Sequence, residues 1–231
     1  MEKDNFEKIF VVMPFYNEEK VINDVINEIK SAGFSNIIAV DDGSSDNAFE
    51  KIKNVSGVTA LKHKINRGKG AATKTGIEAA KLLGAEIIVT MDGDGQHDPV
   101  DISNLIRPIL NGQVDVVLGS RLHKPEGMPW HKILHNKIGN IITWYLFGLY
   151  VTDSQSGFRA YSIKAADVIN TKGDRYEYDS EVLREIYLYK LKYQEVPIKV
   201  RYTEYSMGKI HKQGFINGFK TLYKMIWKLI H

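Results

Sequence analysis

An α/β architecture, with a mostly parallel central sheet flanked by helices, is what the sequence predicts for this chain, and three observations predict it. Short apolar runs alternate with segments whose apolar residues recur at three- and four-residue steps. Three of the apolar runs end in polar, acid-bearing loops, and in open α/β sheets ligands bind beyond the carboxyl ends of the strands. The 231 residues contain no internal repeat and no low-complexity linker, so no boundary is expected within the regular part.

The first strand is expected at Ile9–Met13, followed by Pro14-Phe15-Tyr16-Asn17-Glu18-Glu19. Val21, Ile22, Val25, Ile26 and Ile29 then share one face of a helix over Lys20–Lys30. A second strand, Asn36–Val40, runs into Asp41-Asp42-Gly43-Ser44-Ser45-Asp46 and a helix over Ala48–Lys53. Strands at Val58–Leu61, Glu86–Met91 and Val114–Leu118 alternate with helices over Gly70–Leu83 and Val100–Leu110. Strands separated by helices imply parallel pairing with both sheet faces covered. The second half is less regular.

Asp92-Gly93-Asp94 closes the run Glu86-Ile87-Ile88-Val89-Thr90-Met91 and precedes Gln96. Residues two apart on an extended segment face one side, and two carboxylates there form a hard oxygen site suited to Mg²⁺ or Mn²⁺. Asp-Gly-Asp is equally ordinary turn chemistry. An EF-hand is excluded, because His97 and Ser103 stand where the calcium loop needs glycine and glutamate. Acids past the second strand suit ribose hydroxyls or base N–H groups, and Ser45 or Asp46 equally suits a helix N-cap. Asn66-Arg67-Gly68-Lys69-Gly70 reads either as a helix-start loop or as a phosphate contact through Arg67 or Lys69. It matches neither a Walker A loop nor the dinucleotide fingerprint, whose third glycine is replaced by Thr73.

Six segments occur in order: Pro14-Phe15-Tyr16-Asn17-Glu18, Val40 to Asp46, Asn66 to Gly70, Met91 to His97, Gly119-Ser120-Arg121 and Asp153-Ser154-Gln155-Ser156-Gly157-Phe158-Arg159. Together, from Ile9 to Lys209, they resemble family 2 glycosyltransferases of the GT-A fold, most closely the dolichyl- or polyprenyl-phosphate mannose or glucose synthases. The resemblance implies a Rossmann-like nucleotide-binding half and transfer of a hexose, with inversion, from a GDP- or UDP-hexose to a polyprenyl phosphate. It places Pro14, Tyr16, Glu18, Asp42, Lys69 and Asp92 at the donor. It assigns Asp92, Asp94 and Gln96 to the metal, with Asp153 nearby. Lys132, Ser156, Arg121 and Arg159 fall to the acceptor.

Arg121, Arg159, Arg201 and Lys209 are the basic residues assigned to phosphate or diphosphate, since the arginine fork matches those oxygens. Surface ion pairs are the competing account. Two departures from the branch stand out: Lys132 replaces an arginine expected soon after Trp130, and Tyr205-Ser206-Met207-Gly208-Lys209 only loosely matches its glycine-serine-lysine element. The segment Tyr176 to Glu181 also resembles a recurring family element, for which helix capping by Asp179 or Ser180 is the simpler account.

A cation at Asp92, Asp94 and Gln96 would neutralise the departing diphosphate. A phosphate acceptor, already largely anionic at neutral pH, needs positioning more than deprotonation. The alternatives are a family 2 enzyme acting on a carbohydrate hydroxyl with Asp153 as base, and a non-catalytic nucleotide-sugar-binding module.

Composition is that of an ordinary globular protein, 43% hydrophobic and 26% charged. The net charge of +3 is too small for a nucleic-acid partner. With no cysteine, disulfides and thiolate metal sites are excluded. The charged start Met1-Glu2-Lys3-Asp4-Asn5 and the short apolar run after it do not read as a secretory signal. Lys220, Lys224 and Lys228 stripe a basic amphipathic helix, so residues 1–209 are taken as the catalytic domain and 210–231 as a C-terminal helix. That helix either docks on the core or lies on an anionic membrane. The apolar, aromatic stretch Ile138 to Val151 is too short to span a bilayer and reads as a core or an interfacial helix. The expectation is a peripheral enzyme on the cytosolic face of a membrane.

Overall fold

The computed structural model describes residues 6–122 and 138–201, apart from 139, 142, 147 and 176. The expectations on Lys132, Lys209, the lysine stripe at 220–228 and the separate C-terminal helix therefore lie outside the described residues.

Seven strands form one sheet: β1 (Ile9–Phe15), β2 (Asn36–Asp41), β3 (Val58–Lys62), β4 (Ile87–Thr90), β5 (Val116–Ser120), β6 (Arg159–Ser162) and β7 (Tyr193–Pro197). Their order is β3-β2-β1-β4-β6-β5-β7. β1 pairs in parallel with β2 and β4, β2 with β3, and β5 with β7, while β6 alone is antiparallel, set between β4 and β5. The helices are α1 (Ile22–Ser31), α2 (Ala48–Ile52), α3 (Lys69–Leu82), α4 (Ile102–Leu110), α5 (Ile163–Val168) and α6 (Glu177–Leu188). Helical residues also occur between positions 138 and 146.

Alternation along β1 divides the core. Val11 and Met13 face a cluster with Ile22, Val25, Ile26 and Ile29 of α1 and Leu105 and Ile106 of α4. Phe10 and Val12 face the opposite cluster, with Ala72 and Ala80 of α3 and Val182, Leu183 and Ile186 of α6. Both faces of β1 are thus buried, which is why it reads as an unbroken apolar run. Gly76 allows α3 to lie directly on the sheet, since a Cβ there would come within 2.3 Å of Val12 Cγ1. The expected fold class is the observed one.

The order β2-β1-β4 makes the space beyond the carboxyl ends of β1 and β4 a switch point, where the chain departs in opposite directions and leaves a crevice. The loops after β1, β2 and β4 open there. Because β6 runs the other way, the segment leading into it, Asp153 to Phe158, arrives at the same edge. Two strands, β6 and β7, were not expected. β6 is four residues long and begins with arginine, and β7 carries Gln194, Glu195 and Pro197, so neither has an apolar pattern that announces a strand.

Candidate active site

The first two loops are laced together. Asn17, with φ +56°, donates its backbone N–H to Ser44 Oγ (2.9 Å), and its Oδ1 accepts from the N–H of Ser45 (2.9 Å). Asp46 accepts from the N–H of Glu19 (2.9 Å) and of Ala48 (3.1 Å), so it serves the first turn of α2 and the neighbouring loop at once. Pro14 lies within β1 and its carbonyl accepts from Gly93 N–H (3.2 Å), tying the first loop to the Asp-Gly-Asp turn. Tyr16 is exposed, and Glu18 is buried with its carbonyl accepting from Val21 and Ile22.

Asp42 is buried, and its carboxylate is fully engaged. It accepts from the N–H groups of Arg67 (3.0 Å) and Gly68 (2.7 Å) and meets His63 Nδ1 at 2.8 Å, while His63 Nε2 reaches Thr75 Oγ1 at 3.0 Å. Its observed work is to shape the Asn66–Gly70 loop. Gly43 (φ +76°) permits the close approach, because a Cβ there would lie 2.7 Å from Asn66 N. The Arg67 side chain turns to Asp174, 3.4 Å away.

The centre of the site joins four segments. Lys69 Nζ, from the first turn of α3, lies 2.8 Å from Asp92 Oδ1 and 3.0 Å from Oδ2, and 3.6 Å from Asp179 Oδ2. His97, buried under Phe158 with ring centroids 4.9 Å apart, places Nε2 3.7 Å from Asp92 Oδ2 and leaves Nδ1 without a hydrogen-bond partner. Gly157 packs against this group: a Cβ there would stand 2.4 Å from Lys69 Nζ and 3.3 Å from Asp92 Oδ1, and its carbonyl accepts from Thr90 Oγ1 at 2.8 Å.

Electrostatics follow from that crowding. Burial works against ionisation of Asp92, but Lys69 and His97 outweigh it and hold the carboxyl well below its usual range. Burial and the charge of Asp92 push Asp94 upward. An ionised carboxylate close enough to raise its neighbour suits a dication shared by the two. Among the described residues no three His, Cys, Asp or Glu side chains converge as a ready metal cage. One or two carboxylates are what an ion of the Mg²⁺ type usually takes from a protein, with substrate phosphates completing its shell. Gln96 stands beside this pair, with its N–H donating to Asp94 Oδ1 (3.0 Å) and its carbonyl accepting from Arg201 N–H (2.8 Å).

Three basic residues expected on phosphate are engaged elsewhere. Arg159 is 1% exposed. It donates through Nε to Ser156 O (2.8 Å) and through NH2 to Ser154 O (3.0 Å) and Asp179 O (3.1 Å), so it braces the loop from inside, with NH1 buried and without a hydrogen-bond partner. Arg121 makes a two-pronged pair with buried Asp153, Nε to Oδ2 and NH2 to Oδ1 both at 2.7 Å. Arg201 pairs with Glu28 (2.7 Å) and Asp98 (3.2 Å), the surface account weighed above. Ser156 is buried, with an unpartnered Oγ.

Asp179 is the residue sequence reasoning missed. It is no helix cap: it lies inside the first turn of α6, buried, between Lys69 and Arg159. An acid near the start of a helix is so common that only its burial marks it. Asn140 was also missed. It donates to Thr152 O and accepts from Ser154 N–H (2.9 Å), fastening the 138–146 helical segment to the site loop.

Residues 10–169 match the family model described as Glycosyl transferase family 2. An uncharacterized protein of Methanocaldococcus jannaschii is 44% identical over 231 residues, covering 98% of this chain and 94% of its own. The UDP-N-acetylglucosamine–dolichyl-phosphate N-acetylglucosaminyltransferase of Methanococcus voltae is 42% identical over 243 residues, covering 94% of each chain. Among solved structures, glucosyl-3-phosphoglycerate synthase from Mycobacterium tuberculosis, in complex with Mn²⁺, UDP-glucose and phosphoglyceric acid, superposes with a TM-score of 0.69 at 19% identity, covering 94% of this chain and 79% of that one. At that identity the likeness is one of fold, the GT-A fold.

Proposed function

Because this chain belongs to glycosyl transferase family 2, we propose that it moves a hexose or N-acetylhexosamine from a nucleotide diphosphate to a polyprenyl phosphate, with inversion and with the aid of a divalent cation. The Methanococcus voltae relative makes UDP-N-acetylglucosamine and dolichyl phosphate the first pair to test.

The observation that carries the reading is the state of Asp153. Its two oxygens accept three N–H groups of Arg121, at 3.0, 2.7 and 2.7 Å. With those bonds made and its side chain completely buried, Asp153 offers no open face to a sugar hydroxyl, whereas a phosphate acceptor needs no base. The same reading explains a site built for charge rather than proton transfer.

In this reading Asp92 and Asp94 hold the cation, with Gln96 beside them, and the cation supplies a Lewis acid that offsets the charge growing on the leaving diphosphate. Asp42 orients the Asn66–Gly70 loop around the donor. Pro14, Tyr16 and Glu18, at the carboxyl end of β1 and in the loop after it, serve the donor, with Tyr16 the exposed member. Lys69 supplies positive charge at the diphosphate end. Arg159 acts from within, keeping Ser154 to Gly157 in shape for the acceptor, and Arg121 fixes Asp153 beneath that loop.

Attachment to a membrane would be peripheral, at the cytosolic face where nucleotide sugars are drawn. Among the described residues no helix is long and apolar enough to cross a membrane. Trp144 (51% exposed), Tyr145 (86%) and Tyr150 (57%) are exposed, with Trp144 edge-on to Tyr150 at 6.1 Å. Aromatic rings with polar tips favour the headgroup boundary, and Asn140 links the segment that carries them to the site loop.

The test is a product assay with purified protein, Mn²⁺ or Mg²⁺, labelled UDP-N-acetylglucosamine, UDP-glucose and GDP-mannose, and polyprenyl phosphate in liposomes. An acid-labile sugar phospholipid is the expected product. Transfer to sugar hydroxyls alone, with no phospholipid from any donor, would overturn the proposal.

A further inference from the structure

One ammonium stands between two acids on different elements. Lys69 Nζ straddles both oxygens of Asp92, beyond β4, at 2.8 and 3.0 Å, and lies 3.6 Å from Asp179 Oδ2 in the first turn of α6. Gly157 packs close against it, since even a Cβ would come within 2.4 Å of Nζ.

We propose that Lys69 is the internal counter-ion of the cation seat at Asp92, and that Asp179 is the positioning residue that takes Lys69 over when a divalent cation binds. The inference rests on the reading of Asp92 as a metal ligand.

An ammonium set across both oxygens of a carboxylate competes with a dication for the same lone pairs and repels it at short range. Lys69 must therefore withdraw, and it needs another anion within reach. Asp94 belongs to the seat itself. Asp179 does not: it is buried, held beside Arg159 NH2 at 3.7 Å, and faces the same ammonium. Closing 3.6 Å to a hydrogen bond of about 2.9 Å is within the freedom of a flexible four-carbon stem.

The consequence is a seat that holds a cation weakly by itself and firmly with a nucleotide diphosphate, whose negative charge adds to the pull on the metal. Lys69 also keeps Asp92 neutralised between turnovers, so the loops stay assembled without the ion.

Mn²⁺ binding to the full chain without nucleotide, read from the EPR signal of free Mn²⁺, tests this. Lys69→Gln should bind Mn²⁺ severalfold more tightly than the parent, and Asp179→Asn severalfold more weakly, because its lysine has nowhere to go. The double variant should behave as Lys69→Gln does, the effect of Asp179 vanishing with its partner. A purely structural Asp179 would instead weaken binding equally in both backgrounds, and that result overturns the proposal. So does unchanged or weaker binding by Lys69→Gln, a measurement that stands even if Asp179→Asn fails to fold. Asp92→Asn separates the two ideas: wild-type Mn²⁺ affinity there dismisses Asp92 as a ligand, whereas loss of binding there with no Lys69 effect dismisses only the counter-ion exchange.

Discussion

Asp153 and Arg121 meet as a fork on a fork, each carboxylate oxygen receiving one guanidinium N–H at 2.7 Å, with the Arg121 backbone N–H adding a third bond at 3.0 Å. The acid is completely buried and the arginine side chain is 22% exposed, so the pair anchors the end of β5 to the start of the 153–159 loop. If it is an anchor, Asp153→Asn and Arg121→Ala should each lower stability by about 1–3 kcal/mol, and the double variant should lose much less than their sum. Urea denaturation of the four proteins checks this. Additive losses would deny the coupling.

Arg159 should prove a bracing residue. Removing it strands the carbonyls of Ser154, Ser156 and Asp179, so Arg159→Ala is expected to cost about 2–4 kcal/mol. Arg159→Lys should recover only part, since an ammonium cannot reproduce the fork. Activity should fall alike with long-chain and short, water-soluble prenyl phosphates. An undiminished melting temperature in Arg159→Ala would show that the carbonyls do not depend on it.

Metal removal should silence the enzyme reversibly. With Asp92 and Asp94 as the anionic ligands, EDTA should abolish transfer and Mn²⁺ restore it. Asp92→Asn or Asp94→Asn should cut turnover by about 100-fold or more while the circular dichroism spectrum stays native. Full activity in excess EDTA would refute the assignment.

A clamp at the start of α3 should show itself in acid. Asp174 accepts from Lys74 Nζ at 2.7 Å, and its carbonyl accepts from Ala71 N–H at 3.0 Å. Lys74, with a smaller part from Arg67, holds the Asp174 carboxyl below its ordinary value. A depressed folded-state pKa stabilises above the unfolded value and ceases to do so as pH falls through the folded one. The melting temperature of Asp174→Asn should therefore lie below the parent's at pH 6 to 7, and the gap should close as the pH falls below the ordinary aspartate range. A gap independent of pH would sink the electrostatic account.

The aromatic surface should govern membrane residence. Trp144→Ser with Tyr145→Ser removes two rings that are largely exposed and should leave the melting temperature nearly unchanged while shifting the protein from the floated liposome fraction to the bottom of the gradient in a flotation assay. Transfer to a short, soluble prenyl phosphate should persist. Unaltered flotation would remove this face from the membrane contact.

What the sequence determined by itself was everything that local pattern encodes. β1 to β5 and α1 to α4 were legible within a residue or two because each carries its own apolar period, and the converging acid loops followed from strands pointing one way. The Asp92-Gly93-Asp94 turn and the Asn66–Gly70 loop were legible because glycine and aspartate punctuate strand ends. The tertiary structure decided the rest. Arg159 opens a buried strand against every local preference, and only the backbone carbonyls of Ser154, Ser156 and Asp179, supplied from elsewhere in the fold, make that burial tolerable. Asp42 was legible as an acid at a strand end, but that its oxygens bond a loop 25 residues on was not. Asp179 looked like a cap until packing set it beside Lys69, 110 positions away in the chain. A side chain's chemical type is written in the sequence, but which charges it faces is set by long-range contacts, whose short distances and low dielectric give those charges their strength.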